Sequence, residues 1–275
     1  MTRYALVIAY DGRSFAGWQT QPSGQTVQDH LERALARIAG RPIATICAGR
    51  TDAGVHASHQ VVHFDCEVER PLTAWVRGVN AFLPDAIAVQ ASAVAPAGFH
   101  ARFSAVRRRY RYRLYRAPQR HPLLAGRAGW VHRRLDVEAM RAAAGCLVGR
   151  HDFSAFRSSE CQAASPVREL QALRLSEREA IVEIELVANA FLHHMVRNIV
   201  GALVWIGIGR RPPDWLAQVL AGRDRRLAAP TFAADGLYLT GVDYGRAAPD
   251  LPTWPAGDRD DPDDHGEAAR YSLGG

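Results

Sequence analysis

The order of elements in the fold begins in residues 4–38, which read YALVIAYDGRSFAGWQTQPSGQTVQDHLERALARI. Residues 5–10 are an apolar run that predicts a buried strand, and the apolar residues after Thr26 recur every three or four positions, as in a helix. Asp29 predicts a capping box with Thr26, and Gly40 and Pro42 predict the end of the helix. This stretch therefore predicts a strand followed by a helix.

The rest of the chain repeats this order of elements. The first half continues with strands near 43–47, 59–65 and 87–94, and with a helix between Pro71 and Pro84 whose one face carries Leu72, Trp75, Val76 and Val79. In the second half we expect strands at about 106–116, 169–176, 180–187 and 236–242 and helices at about 136–148, 194–207 and 213–221. Two related β-α-β-β-α-β halves predict an α+β fold with a mostly antiparallel sheet flanked by helices. We expect the free sheet faces of the halves to meet around a central cleft.

The repeated order of elements divides the chain into two halves, residues 1–104 and 105–248, and composition sets apart an acidic tail, residues 249–275. The tail mixes Pro, Gly, Asp and Arg with few large apolar residues, so we expect it to be disordered. The longest uncharged apolar stretch, residues 199–209, is shorter than the ~20 residues that span a bilayer. The N-terminal residues lack the features of a signal peptide. We therefore expect a cytoplasmic protein without a membrane span.

The charge of the chain indicates a polyanionic partner. Its 275 residues include 34 basic and 28 acidic ones, a formal net charge of +6, and every basic residue is arginine. Residues 251–275 contain six acids and two arginines, so the preceding residues carry a charge of +10. A basic folded part favours nucleic acid as the partner. The absence of lysine excludes a Schiff base, a phosphate-loop lysine and a lysine general base.

A candidate catalytic loop, residues 47–56, reads CAGRTDAGVH and lies between two expected strands. Its small residues and two glycines allow a ligand to approach the backbone closely. Arg50 lies near Asp52 in this loop, and an arginine beside a carboxylate keeps the acid ionised even in a desolvated pocket. Such a carboxylate can act as a nucleophile or a base. The alternative is that Asp52 closes a turn by bonding its own backbone.

A second candidate segment, residues 107–116, reads RRRYRYRLYR and follows FHARF at residues 99–103. Because side chains alternate between the two faces of a strand, one face receives Arg109, Arg111 and Arg113 and the other receives Tyr110, Tyr112 and Leu114. Arginines interleaved with aromatic rings suit RNA, whose bases stack on the rings while the guanidinium groups neutralise phosphates. The alternative is a solvated arginine face over a tyrosine-lined core.

A third candidate segment, residues 189–198, reads NAFLHHMVRN and enters an expected helix. His193 and Arg197 are four positions apart, so they share a helix face. The histidines of the chain lack metalloprotease or zinc-ribbon spacing, and its four cysteines lack a C-x-x-C pair. We therefore expect neither a metal site nor a disulfide framework.

These segments together resemble the tRNA pseudouridine synthase A family. The resemblance rests on residues 50–56 (RTDAGVH), 109–112 (RYRY), 193–198 (HHMVRN) and 236–239 (GLYL), and on the similarity of residues 10–12 and 17–19 to the family's N-terminal strand and loop. It extends from about residue 4 to about residue 245, and only the acidic tail departs from the family's pattern. It implies the pseudouridine synthase fold with a central RNA-binding cleft.

The resemblance implies that the protein isomerises uridine to pseudouridine at positions 38, 39 and 40 of the tRNA anticodon arm, without cofactor or metal. The N1–C1′ bond is broken, the base turns, and C5 is joined to C1′. The family's aspartate falls on Asp52, which either attacks C1′ or removes the 2′ proton. The resemblance also implies a homodimer, with tRNA lying across both subunits.

Roles for further residues follow from the same resemblance. Tyr110 would stack on the target uracil and help to move the C5 proton, and Arg197 would pair with Asp52. Arg50 would fill the gap that the flipped nucleotide leaves, and Leu237 would pack against the base. The other residues expected to contact the RNA are Phe99, His100, Arg102, Phe103, Arg109 and Arg111.

Two other functions are compatible with these residues. A catalytically silent RNA-binding protein of the same fold is favoured where the aspartate loop is degenerate, and here the loop is intact. A nucleoside or glycoside hydrolase would use Asp52 as its nucleophile. Such an enzyme ordinarily has a second carboxylate, and none follows Asp52 in the sequence before Asp65. The solitary acid therefore favours transfer of the ribose back onto carbon.

Overall fold

The structure is a computed structural model that describes residues 1–247, so the acidic tail expected at 249–275 lies outside the described residues. The strands are β1 Thr2–Tyr10, β2 Ile46–Cys47, β3 His56–Cys66, β4 Ile87–Val94, β5 Arg107–Arg116, β6 Gly129–Val131, β7 Gly149–Asp152, β8 Val167–Arg178, β9 Ile181–Ala188 and β10 Leu237–Asp243. The α-helices are α1 Val27–Ala39, α2 Val137–Ala144, α3 Met195–Gly207 and α4 Trp215–Gly222, and a π-helix spans Ala74–Gly78. Within the described part of the chain, no helix is both long and apolar enough to cross a membrane.

One sheet runs through both halves of the described chain. Its strand order is β4-β1-β3-β10-β5-β9-β8-β7, with β2 paired to β3 and β6 paired to β5. All strand pairs are antiparallel except β3 with β10 and β5 with β6, which confirms the expected α+β class. The expected meeting of two free sheet faces is wrong. Strand β10 pairs with β3 on one side and β5 on the other, so the halves join edge to edge.

The first strand and helix form as expected. The Thr26 hydroxyl accepts a hydrogen bond from the backbone of Asp29, and the Asp29 carboxylate accepts one from the backbone of Thr26, which completes the capping box. Gly40 follows α1 with a φ of 71°, a left-handed conformation that glycine adopts without steric cost. Leu31 and Leu35, one helical turn apart, are fully buried in the core. Local signals alone therefore fix both ends of α1.

The strand expected at 43–47 is reduced to Ile46–Cys47. The backbone N–H of Thr45 donates to the carboxylate of Glu32 on α1 at 2.7 Å, and the Thr45 hydroxyl donates to the same oxygen at 2.9 Å. A helix side chain therefore takes the place that a neighbouring strand would have before residue 46.

The helix expected between Pro71 and Pro84 forms, but its centre has π geometry. Trp75 and Val79 are fully buried, as the expected face requires, whereas Leu72 is 40% exposed. A π-helical turn contains more residues than an α-helical one, so the 3.6-residue repeat does not hold over this segment. The predicted face is therefore right for Trp75 and Val79 and wrong for Leu72.

Elsewhere the expected elements are found within a few residues, with two exceptions. The helix expected at 136–148 ends at Ala144 and continues as a 3-10 turn, Gly145–Leu147. Strands β6 and β7 were not expected from the sequence, because they are short and lie in segments rich in arginine and glycine.

The sheet topology brings the three candidate segments together. Strand β3 begins at His56, directly after the candidate catalytic loop, and His56 is the pairing partner of Tyr238 on β10. On the other side of β10, Leu239 pairs with Tyr110 of β5. Three segments therefore lie side by side in the middle of the sheet: the candidate catalytic loop, the start of β10, and the part of β5 that carries Tyr110.

Thr26→Ala should lower the free energy of unfolding by about 1 kcal/mol, because it removes the cap of α1. Urea denaturation followed by circular dichroism measures the change. Thr73→Ala is the matched control, because Thr73 also precedes a helix, is exposed and makes no side-chain cap bond. Equal losses in the two variants would contradict the capping role of Thr26.

Candidate functional site

The candidate catalytic loop is held against the N-terminal segment of the chain. The backbone N–H of Trp18 donates to the carbonyl of Thr51 at 3.0 Å, and the hydroxyls of Tyr10 and Thr51 are 2.8 Å apart. Gly17 has a φ of 88°, and a Cβ there would lie 2.9 Å from the Thr51 carbonyl oxygen. This close approach requires glycine and fixes the backbone on either side of Asp52.

The carboxylate of Asp52 is surrounded by three basic side chains. Nη1 of Arg197 donates to Oδ2 at 2.9 Å, and Nε2 of His194 lies 3.2 Å from the same oxygen. Nε2 of His193 lies 3.3 Å from Oδ1. The Asp52 side chain keeps 23% of its surface exposed, so a ligand can reach it. The Asp52 carboxylate therefore has side-chain partners from a distant segment, which favours a site residue over one that only closes a turn.

Helix α3 presents its N-terminal end to this carboxylate. The Nε of Arg197 donates to the carbonyl of Phe232 at 2.8 Å, and the Arg197 carbonyl accepts from the Phe232 backbone at 3.2 Å. A Cβ at Gly201 would lie 2.3 Å from the carbonyl oxygen of Pro230, so only glycine permits this packing. The segment before β10 thus fixes the helix that carries Arg197.

Tyr110 borders the same loop from strand β5. The ring is buried and packs edge-on against Phe191, with 5.0 Å between ring centroids. A Cβ on Gly49 would lie 3.6 Å from the Tyr110 hydroxyl, which shows how near the loop comes to it. Burial is the main cause that raises the pKa of Tyr110, and the charge of Asp52 adds to it. The phenol is therefore neutral at neutral pH.

Leu237 and Arg50 lie on either side of these groups in the chain and differ in exposure. Leu237 is buried at the start of β10, where it pairs with Tyr112 of β5. Arg50 is exposed, and within residues 1–247 its guanidinium has neither an ion pair nor a hydrogen bond. Of the two, Arg50 is the side chain that can reach a ligand without breaking a bond to the protein.

The arginines of β5 face the glutamates of β9. Arg113 lies 3.3 Å from Glu183, Arg111 lies 3.5 Å from Glu185, and Arg109 lies 3.6 Å from Glu185. Arg109 is only 2% exposed. Glu183 and Glu185 therefore lie on the same face of the sheet as the arginines of β5 and form ion pairs with them. This pairing favours a structural role for Arg109, and its contact with RNA stays a prediction.

The segment FHARF at residues 99–103 divides between core and surface. Phe99 is buried, whereas Phe103 is 75% exposed. The His100 ring stacks on Phe103 with 4.3 Å between centroids, and the Arg102 guanidinium lies 5.5 Å from the centre of the same ring. Arg108 donates to the backbone carbonyls of Arg102 and Ala48, at 2.5 and 3.1 Å respectively, and so ties this exposed cluster to the catalytic loop.

Asp52 and the two histidines beside it carry atoms that can bind a metal ion. Asp52, His193 and His194 each offer one ligand atom within 4.8 Å of the others. Oδ2 of Asp52, however, already accepts a hydrogen bond from the guanidinium of Arg197. A metal ion bound to that oxygen would have to compete with a fixed positive charge, which opposes its binding.

Comparison with known proteins identifies this arrangement. A family model described as tRNA pseudouridine synthase matches residues 6–104 and 143–245. The chain belongs to the tRNA pseudouridine synthase family. A tRNA pseudouridine synthase A from Bordetella petrii is 62% identical over 246 residues, which cover 89% of this chain and 92% of that protein. The corresponding protein of Paraburkholderia phymatum is 59% identical over 244 residues, which cover 89% of this chain and 91% of its own length.

A solved structure with a different sequence also aligns with this member of the pseudouridine synthase family. It is a chain in the crystal structure of a Cbf5–Nop10–Gar1 complex, 10% identical, and the alignment covers 88% of this chain and 58% of that one. The TM-score of the alignment is 0.35.

The structure adds His194 to the site residues that the sequence of this family member indicates. The sequence predicted that His193 and Arg197 share one face of a helix, but α3 begins at Met195 and both histidines precede it. The pair of adjacent histidines was visible in the sequence. Its arrangement around Asp52 was not, because it depends on the backbone turn before the helix.

Arg109→Ala should lower the free energy of unfolding by about 3 kcal/mol, because it breaks a buried ion pair and leaves Glu185 with less compensation. Arg113→Ala is the matched control on the same strand, where the pair with Glu183 is more exposed and its loss should cost under about 1 kcal/mol. Urea denaturation measures both. A cost for Arg109→Ala no larger than that of the control would contradict the structural role.

Proposed function

We propose that this chain is a tRNA pseudouridine synthase that isomerises uridine to pseudouridine at positions 38, 39 and 40 of the anticodon arm. Relatives of about 60% identity carry the name tRNA pseudouridine synthase A. The observation that carries the proposal is the carboxylate of Asp52, which pairs with Arg197 and lies in the loop that Tyr110 borders. A carboxylate so placed suits attack on a ribose, and the basic surface suits a polyanion.

The reaction begins with Asp52 acting on the ribose of the target nucleotide. In one route a carboxylate oxygen bonds to C1′ while the N1–C1′ bond breaks and its electron pair leaves with uracil. In the other route Asp52 takes the 2′ proton as the same bond breaks, and that proton is returned later. The uracil then turns and C5 bonds to C1′, while the C1′–carboxylate bond breaks in the first route and the 2′ proton returns to the sugar in the second. C5 then loses its proton, and N1 gains one. The atoms balance without an oxidant, a reductant or a cofactor.

Tyr110 is proposed to hold the uracil while it turns. Its ring supplies a stacking surface, which every base can use because every base has a π-face. Its hydroxyl, which is neutral and has no hydrogen-bond partner within residues 1–247, is free to help move the C5 proton. Leu237 is proposed to pack against the base from β10. The two residues together would restrict the uracil to rotation in its plane.

RNA binding is proposed to rest first on exposed side chains near the loop. Arg50 would fill the gap in the base stack, which offsets part of the few kcal/mol that flipping a nucleotide costs. His100, Arg102 and Phe103 would stack on a neighbouring base, with Phe99 supporting them from the core. Arg109 and Arg111 would reach a phosphate only by exchanging a glutamate of β9 for it.

The proposal also covers the subunit state, the division of the fold and the place of action. The protein would act as a homodimer, with one tRNA lying across both subunits. It would fold as two related halves, residues 1–104 and 105–248, that share the central sheet. Its place of action would be the cytoplasm. Sedimentation with and without tRNA tests the subunit state.

Asp52→Asn should reduce pseudouridine formation by more than about 1000-fold, because an amide can neither attack C1′ nor remove a proton. Release of tritium from tRNA labelled at uridine C5 measures the rate. Binding of tRNA should change little, because a carboxylate contributes little to holding a polyanion. Asp214→Asn is the control, because Asp214 is exposed directly before α4 and its carboxylate accepts a hydrogen bond from Gln218 of that helix. Normal tritium release by Asp52→Asn would refute the assignment, and free uracil released by the unaltered protein would indicate a hydrolase instead.

Tyr110→Phe should bind tRNA within about twofold of the original affinity but turn over about 100-fold more slowly, since the ring is kept and the hydroxyl is lost. Tyr112→Phe is the matched control on the same face of β5. The hydroxyl of Tyr112 donates to the carbonyl of Ala233 at 2.8 Å, so its loss should lower stability by about 1 kcal/mol and spare the reaction. Equal rates in the two variants would remove Tyr110 from proton transfer.

A further inference from the structure

Two adjacent histidines approach Asp52 at its two different oxygens. Nε2 of His193 lies 3.3 Å from Oδ1, and Nε2 of His194 lies 3.2 Å from Oδ2. The two rings pack against each other with 3.9 Å between centroids. Neighbouring residues in an ordinary helix would point in different directions, so this arrangement depends on the irregular backbone before α3.

The backbone at His194 is strained. Its φ is 62°, a left-handed conformation that residues other than glycine seldom adopt. The two other such residues within residues 1–247 have ordinary explanations: Glu179 lies in the turn between β8 and β9, and Arg223 ends α4. His194 instead lies against a reactive carboxylate. Strain at such a place persists where the surroundings enforce it, and it commonly serves the site.

The two oxygens of Asp52 are held unequally. Oδ2 contacts both Arg197, at 2.9 Å, and His194, at 3.2 Å. Oδ1 contacts His193, whose side chain is 36% exposed, against 26% for His194. A ligand that enters from solvent therefore meets Oδ1 and its more exposed partner first. Oδ2 lies behind two side chains that the start of α3 fixes.

We propose that His194 is a positioning residue for Asp52, and that Oδ1 is the oxygen that reacts once the substrate displaces His193. The inference rests on the proposed function and adds to it the reacting atom and two residues. As nucleophile, Oδ1 bonds to C1′ while the N1–C1′ electron pair leaves with uracil. As base, Oδ1 takes the 2′ proton while the same pair leaves. In both routes Arg197 and His194 stay on Oδ2 and hold the carboxylate in place.

The charges around His194 fit this role. The groups that face it are Asp52, His193, Arg197 and, at longer range, Glu160. Burial lowers the pKa of His194 and outweighs the opposite effect of Asp52, so the imidazole is neutral at neutral pH. A neutral ring can orient Oδ2 through its N–H without cancelling more of the negative charge. Arg197 supplies the positive charge on Oδ2, and His194 supplies a neutral donor to the same oxygen.

The test compares substitutions of the two histidines, and we expect opposite effects. Asparagine tolerates the left-handed backbone, but its shorter side chain places no donor at the position of Nε2. His194→Asn should therefore lower kcat about 10- to 100-fold, with KM for tRNA within about twofold. His193→Ala frees Oδ1, so kcat/KM should rise about two- to tenfold. Equal losses in both variants, or a normal kcat for His194→Asn, would overturn the inference.

A rescue variant separates positioning from structural support. His194→Gln places an amide donor near the position of Nε2 and should restore kcat to within about fivefold of the original, with the melting temperature recorded for each variant. His151→Asn is the control, because His151 lies on β7 at the far edge of the sheet, where its ring bonds to the carbonyl of Val148. If Gln at position 194 turns over no faster than Asn, His194 does not act through a donor.

A second measurement needs neither tRNA nor turnover. In the free protein with ¹⁵N-labelled histidine, Asp52→Asn should shift the ring-nitrogen signals of His193 and His194 and leave that of His151 in place. Unmoved signals would overturn the inference even if the enzyme is active. An unaltered protein that forms no pseudouridine would instead refute the proposed function, so the two failures can be told apart.

Discussion

The ion pair between Asp52 and Arg197 joins residues 145 positions apart and is the contact on which the rest of the site depends. A partly buried carboxylate needs a cation because desolvation penalises its charge. Arg197 reaches it only because Gly201 lets α3 pack against Pro230. The segment that holds α3 then continues into β10, the strand that joins the two halves. The acid and its partner therefore meet only when the central sheet is complete.

Strand β10 explains why the candidate site residues lie at the middle of the sheet and not at its edge. On one side it pairs in parallel with β3, which begins where the aspartate loop ends. On the other side it pairs with the tyrosine-bearing part of β5. A parallel pair places the starts of both strands at the same edge of the ladder, so Leu237 lies near the loop before His56. The sequence order of the strands conceals this proximity.

Local signals in the sequence were sufficient for much of the fold. Thr26 and Asp29 predicted the start of α1, and alternation along β5 and β9 predicted both strands with their buried faces. The resemblance named Asp52, Tyr110 and Arg197, which the structure brings around one loop. What the sequence could not supply were contacts between distant segments. The Glu32 carboxylate accepts the hydrogen bond of Thr45 that a neighbouring strand would otherwise accept, and nothing in the sequence near either residue indicates this contact.

The contact of His194 with Asp52 was hidden for a related reason: it depends on a left-handed residue that no helical repeat describes. The edge-to-edge union of the halves was hidden too, because β10 contributes only a short parallel pairing to β3. Both features are set by tertiary packing, which overrides local preference. Sequence patterns therefore indicated candidate site residues that the structure brings together, without giving the geometry that distinguishes one Asp52 oxygen from the other.

A chain whose basic residues are all arginine must use the same side chain for structure and for binding, and burial separates the two uses. Arg109 and Arg197 are paired internally with carboxylates. An arginine neutralised in this way releases no counterion from RNA, so it adds little to the salt-dependent affinity. Arg50 is exposed and has no such pair among the described residues. Net charge therefore overstates the number of arginines that can contact a phosphate, because Arg109 and Arg197 are already paired with carboxylates.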